Sequence, residues 1–97
     1  MIRSFKNKGT EDIFNGLNSR AARSVCPELL WGIAIRKLDL LDSAEELSDL
    51  RIPPGNKLER LLGIRIGQHS IRINAQYRIC FIWTISGPDQ VEIVDYH

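Results

Sequence analysis

The chain has 97 residues, a net charge of +1 and 43% hydrophobic content, which suits one domain, residues 1–97, with a modest core. No apolar run approaches the roughly 18 residues that a membrane span needs. Arg3, Lys6 and Lys8 open the chain and polar residues follow, so no secretory core is expected and the chain is read as cytoplasmic, away from membranes.

The small net charge conceals an asymmetry. From Arg51 to Arg78 there are six bases (Arg51, Lys57, Arg60, Arg65, Arg72 and Arg78) and one acid, Glu59. From Asp39 to Asp49 there are five acids and no base. A basic half on a near-neutral protein can hold a polyanion without making the whole molecule adhesive. Cys26 and Cys80 are expected as buried thiols rather than a disulfide. Four-ligand zinc spacing is absent, and no metal or cofactor is expected.

In chain order, residues 2–5 read as a short first strand. Gly9 and Thr10 break it, and Thr10 is placed to cap a short helix with Glu11 and Asp12 in its first turn. Pro27 suits the first position of a second helix, because its missing N–H loses no bond there. Leu30, Ile33, Ala34, Leu38 and Leu41 recur at helical spacing and end near Asp42. Ser43 with Glu46 forms a capping box before a helix of one or two turns. The run Pro53-Pro54-Gly55-Asn56 is the clearest break.

The period then becomes two. Residues 57–61 read as a strand, and Gly63 and Gly67 bracket a turn. Residues 69–74 alternate, with Ile71 and Ile73 opposite Arg72. A turn at 74–76 leads to a long strand over 77–85, with Ile79 and Phe81 on one face and Arg78 and Cys80 on the other. A turn at 86–89 precedes the last strand, over 91–96. Helices followed by a meander predict an α+β fold: an N-terminal strand and two to three helices packed on a small antiparallel sheet. The expected helices are core helices and the cations lie on strands, which argues against a DNA-binding regulator.

Asp95-Tyr96-His97 closes the last strand with a carboxylate, a phenol and an imidazole, the groups that proton transfer uses. Glu59 is either a further proton carrier or the ion-pair partner of Arg60 or Arg65. Arg72 and Arg78 fall on adjacent strands, and arginine forks bind phosphate oxygens in pairs. Lys57, Arg60 and Arg65 extend the cationic set. RNA phosphodiester cleavage requires a base for the 2′-hydroxyl, an acid for the leaving oxygen and cations for the pentacoordinate charge. Tyr96 could instead stack on a base. Glu92 and Asp95 point to opposite faces, so they form no carboxylate pair for a metal. His69 reads as a hydrogen-bonded structural group, and Cys80 has no nucleophile motif around it.

The opening Met1-Ile2-Arg3-Ser4-Phe5-Lys6, the segment from Ile52 to Glu59, the strands Ser70-Ile71-Arg72-Ile73-Asn74 and Gln76-Tyr77-Arg78-Ile79-Cys80-Phe81, and the ending Val91-Glu92-Ile93-Val94-Asp95-Tyr96-His97 resemble the HigB toxins of the RelE-like superfamily. The likeness runs over nearly the whole chain. It implies a microbial-RNase-like fold and a toxin that cuts mRNA in the ribosomal A site by metal-free attack of the 2′-hydroxyl. It implies a HigA-like antitoxin with a helix-turn-helix, and contact with operator DNA only through that complex. Asp95, Tyr96 and His97 match the family's C-terminal active-site cluster, and Arg78 matches its strand arginine.

Three positions depart from the family. Leu62 and Ile66 stand where relatives often carry cations, and some relatives have a histidine near the position that Glu59 holds. Fewer cations weaken phosphate contacts. The alternative function is therefore a RelE-fold module that binds its antitoxin or RNA without efficient cleavage.

Overall fold

The computed structural model describes residues 1–96. Within them, three α-helices pack on one face of a four-stranded antiparallel sheet of order β1-β2-β3-β4. The expected α+β class is therefore observed.

Helix α1 spans Lys8–Phe14. Its cap is Asn7, whose side chain accepts from the Thr10 N–H at 2.9 Å, and not Thr10 itself. Asparagine serves a helix start at least as well as threonine, so the helix begins earlier. Thr10 is thereby turned inward. Helix α2 (Arg20–Val25) was not apparent in the sequence, because six residues show no apolar period. Ser19 starts it, accepting from the Ala22 N–H at 3.0 Å and donating to Asp12 at 2.6 Å. The two helices touch at Gly9, where an added Cβ would lie 2.4 Å from the Ala21 carbonyl oxygen.

Pro27 precedes a 3₁₀ turn, Glu28–Leu30, which leads into α3, Trp31–Ser43. Ala34, Leu38 and Leu41 are its buried stripe, as the spacing implied. The next helical piece is 3₁₀, Leu47–Arg51, with Leu50 buried. Its cap is displaced from the expected box: the Asp49 carboxylate accepts from the N–H groups of Glu45 and Glu46, each at 3.0 Å.

Strand β1 is only Glu59–Arg60, shorter than the expected 57–61. Lys57 is the cause, since φ 49° and ψ 51° place it in the left-handed region and end the extended run. Strand β2 is His69–Arg72, β3 is Tyr77–Thr84 and β4 is Gly87–Asp95. The β2–β3 turn is closed by Asn74, whose side chain accepts from the N–H groups of Gln76 and Tyr77 at 2.9 and 2.7 Å.

Residues 2–5 do not form the expected strand. They run beside β4, and Phe5 makes one parallel bridge to Val91. Arg3 N–H donates to Pro88, Val91 N–H to Ser4 and Lys6 N–H to Val91. This segment covers the outer edge of β4, the side a neighbouring chain could otherwise pair with. The pairing stays short because β4 carries a bulge where the register shifts beside Gln90, whose φ is 50°. The bulge also sets the phase of the strand. Beyond it, Val91 and Ile93 face the core, while Glu92 faces the side without helices.

The core lies between the helices and one sheet face. Ile13, Leu38, Leu41, Leu50, Ile71, Ile79, Phe81, Val91 and Ile93 are all buried in it. Cys26 and Cys80 are free and buried, and burial pushes the Cys26 thiol up to about 11. Trp31 and Trp83 pack at the core margin.

Thr10 joins α1 to the outer edge of β4, because its hydroxyl accepts from the buried Ile93 N–H at 3.0 Å. Thr10→Val keeps the shape but orphans that N–H, so the unfolding free energy should fall by about 1–3 kcal/mol in urea titration. An unchanged value would mean that the Ile93 N–H has another acceptor.

Candidate active site on the helix-free face of the sheet

The register puts alternate residues on the face that no helix covers. Ser70 and Cys80 are direct cross-strand neighbours there, as are Arg72 and Arg78, and Cys80 and Glu92. Glu59 opposes Ser70 and joins the same face.

Arg78 is the centre of the group and is only 9% exposed. Its Nε donates to Ser70 Oγ at 2.7 Å and its Nη2 to the Lys57 carbonyl at 2.5 Å. Its Nη1 lies 3.7 Å from Glu59 Oε1. The guanidinium carbon stands 5.9 Å from the centre of the Tyr96 ring, within cation–π range. The left-handed backbone at Lys57 turns its carbonyl toward Arg78, so that strained residue helps to build the site. Glu59 therefore pairs with Arg78, and not with Arg60 or Arg65. Its side chain is 53% exposed and reachable by a ligand.

A second ion group flanks the first. Arg65 Nη1 donates to Glu92 at 2.8 Å and to Gln68 at 3.1 Å. The bond to Glu92 is the main reason that the Arg65 guanidinium is held above its ordinary value. Lys6 Nζ lies 3.8 Å from the same carboxylate. Burial pushes the neighbouring Cys80 thiol upward, which keeps it protonated and a weak nucleophile. Arg72 bends its Nε to the Asn74 carbonyl at 3.0 Å.

The site thus gathers Arg78, Glu59, Tyr96, Arg72 and Arg65, with the Lys57 backbone beneath. Two residues from the sequence set lie elsewhere. Arg60 follows Glu59 directly and pairs with His69, which puts it on the opposite face. Asp95 pairs with Tyr77 in register with Ile79 and Ile93, also on the helix side, and its carboxylate accepts from Gln76 at 3.0 Å. Period two separates both from Arg78. His97 lies outside the described residues.

Two residues were missed. Glu92 is a charge within an apolar strand, and that oddity together with its parity was the available signal. Lys6 arrives only through the packing of the N-terminal segment along β4. Among the described residues, no three His, Cys, Asp or Glu side chains converge in a way that could hold a metal ion.

A small α+β domain with arginines and carboxylates grouped on one sheet face is the class that the fold and site define. Residues 3–97 match the family described as RelE-like toxin of type II toxin–antitoxin system HigB. The chain is 42% identical over 83 residues to Toxin HigB-1 of Vibrio cholerae, which is 86% of this chain and 84% of that one. It is 41% identical over 58 residues to an uncharacterized protein of Haemophilus influenzae, 60% of this chain and 57% of the other. The chain belongs to the HigB-like toxin family, and membership implies an antitoxin partner.

Arg78 is tied into the fold as well as into the site. Arg78→Ala removes the donors to the Lys57 carbonyl and Ser70, so the unfolding free energy should fall by about 1–3 kcal/mol in denaturant titration. Stability equal to wild type would show that neither bond matters to the fold.

Proposed function

We propose that the chain is a metal-independent endoribonuclease that cuts mRNA in the ribosomal A site and so stops translation in the cytoplasm. The observation that carries this reading is that the Glu59 carboxylate and the Tyr96 ring both lie close to the anchored Arg78 guanidinium. A carboxylate, a phenol and a fixed cation around one point are what phosphodiester cleavage by an internal hydroxyl requires.

In this mechanism the 2′-hydroxyl attacks the adjacent phosphorus. The P–O5′ bond breaks, a 2′,3′-cyclic phosphate forms and the 5′-oxygen leaves with a proton. Arg78 presents fixed positive charge to the pentacoordinate phosphate, with Lys57, Arg65 and Arg72 supporting the strand. Glu59, Tyr96 and His97 carry the protons, and Asp95 holds Gln76, whose carbonyl accepts from the Tyr96 N–H at 2.7 Å. Coupled groups at one site share these roles, so base and acid are properties of the set. A HigA-like antitoxin with a helix-turn-helix completes the system, and operator DNA is reached through that complex.

One observation favours a weaker function. Leu62, Ile64 and Ile66 are 75%, 102% and 77% exposed beside the site, where cations would strengthen a phosphate contact. The alternative is a module that binds its antitoxin or RNA and cleaves poorly.

Inducible expression followed by primer extension on one abundant transcript tests the two readings. Wild type should leave in-frame cuts within translated codons. His97→Ala should reduce them by about 10²–10⁴-fold, the usual span for a general acid or base. An uncut transcript in the presence of soluble, folded wild-type protein would support the binding module.

A further inference from the structure

The opposite side of β1 carries a second basic group that the cleavage site does not use. Glu59 and Arg60 are consecutive on this strand and face opposite ways. Arg60 is the cross-strand neighbour of His69, and His69 of Phe81. The His69 and Phe81 rings stack, with centroids 6.3 Å apart and planes 23° from parallel. The 3₁₀ turn Leu47–Arg51 faces them, and between lies a groove of about 500 Å³ lined by Leu47, Ser48, Arg51, Leu58, Arg60 and His69.

The lining has one electrostatic sign. Two guanidinium groups, a hydroxyl and an imidazole face the groove, and no carboxylate lines it. The nearest acid on the turn, Asp49, spends its carboxylate on the backbone N–H groups of Glu45 and Glu46. Among the described residues, neither the Arg51 nor the Arg60 side chain enters an ion pair or a hydrogen bond. His69 is not the hydrogen-bonded structural group expected from sequence, because its Nδ1 is buried without a partner. Leu47 and Leu58 add an apolar wall of the kind that a ribose or base can lie against.

We propose that this groove binds a backbone phosphate of single-stranded RNA, as a contact separate from the one at Arg78. The proposal rests on the RNA-cleaving reading and adds a place where the strand is held. Strand β1 is the edge of the sheet. An RNA that crosses this edge meets Glu59 and Arg78 on one side and Arg60, His69 and Arg51 on the other. Paired arginines supply the forks that phosphate oxygens accept.

Burial and the charge of Arg60 hold the His69 imidazole below its ordinary value. The charge acting on it is Arg60 from β1, and Arg51 from the 3₁₀ turn lines the same groove. A bound phosphate opposes the charge of Arg60 and raises that value, so RNA binding should tighten as the pH falls through the His69 titration.

The test uses the full chain, a 2′-O-methyl hexanucleotide that cannot be cleaved, and inorganic phosphate. Binding is measured against salt while the His69 ring is followed by NMR. For wild type, the ring signals should shift and the imidazole titration should move upward with the hexanucleotide. Arg51→Gln with Arg60→Gln should abolish that shift and lower the slope of log K against log salt by about 0.7, one single-strand phosphate contact. Glu59→Gln, on the other face, should leave the His69 response in place. An unmoved His69 with an unchanged slope overturns the proposal, as does a response to inorganic phosphate without one to RNA. If the His69 response holds but no transcript is cut in cells, the groove stands and the cleavage reading falls. If transcripts are cut in cells but His69 does not move, cleavage stands and the groove falls.

Discussion

The helix-free face depends on the confinement of one guanidinium. Arg78 leaves β3 and ends among the Ser70 hydroxyl, the Lys57 carbonyl, the Glu59 carboxylate and the Tyr96 ring. A buried arginine is tolerable only when its donors are met, and here β2 and the 57–59 segment meet them while the Tyr96 ring lies within cation–π range. The same bonds hold the cation still. A fixed charge stabilises a developing anion without rearranging first, which is the advantage of a protein site over water. The group that links these segments is thus also the one best placed for chemistry.

The outer edge of β4 matters almost as much. Its N–H groups at Val91 and Ile93 are taken by Ser4 and Thr10, which bring the N-terminal segment and α1 against the strand. Gly87 permits the approach, since a Cβ there would lie 2.2 Å from the Met1 carbonyl oxygen. The bulge near Gln90 adjusts the phase so that Val91 and Ile93 reach the core while Glu92 reaches Arg65 and Lys6. One extra residue therefore supplies both a closed core and a second ion group beside Arg78.

The segment with Leu62, Ile64 and Ile66 contrasts with this economy. Three exposed aliphatic side chains border a face whose partners are charged. Arg65, tethered to Glu92 and Gln68, is the cation in that stretch. On this face the charge sits on Arg65, Arg72 and Arg78, each tied by hydrogen bonds to the fold, and an anchored arginine presents less mobile charge than a surface lysine.

Much of this was legible in the residues. The shift from period 3.6 to period 2 after Asn56, the stripe of Ala34, Leu38 and Leu41, and the alternation about Ile79 and Phe81 determined an α+β order, because burial on one face imposes those periods locally. The family likeness was likewise carried by residues in sequence. Tertiary structure alone decided which charges meet. Arg60 and Asp95 look like neighbours of the site in the chain, yet pleating sends them to the other face. Lys6 and Glu92 look remote, yet strand packing and a bulge bring them to it. Short helices such as α2, and the cap at Asn7, escaped because a few residues carry too little periodicity to outweigh their contacts. Sequence determines which faces are apolar; the register between strands distant in the chain determines which polar groups share a face.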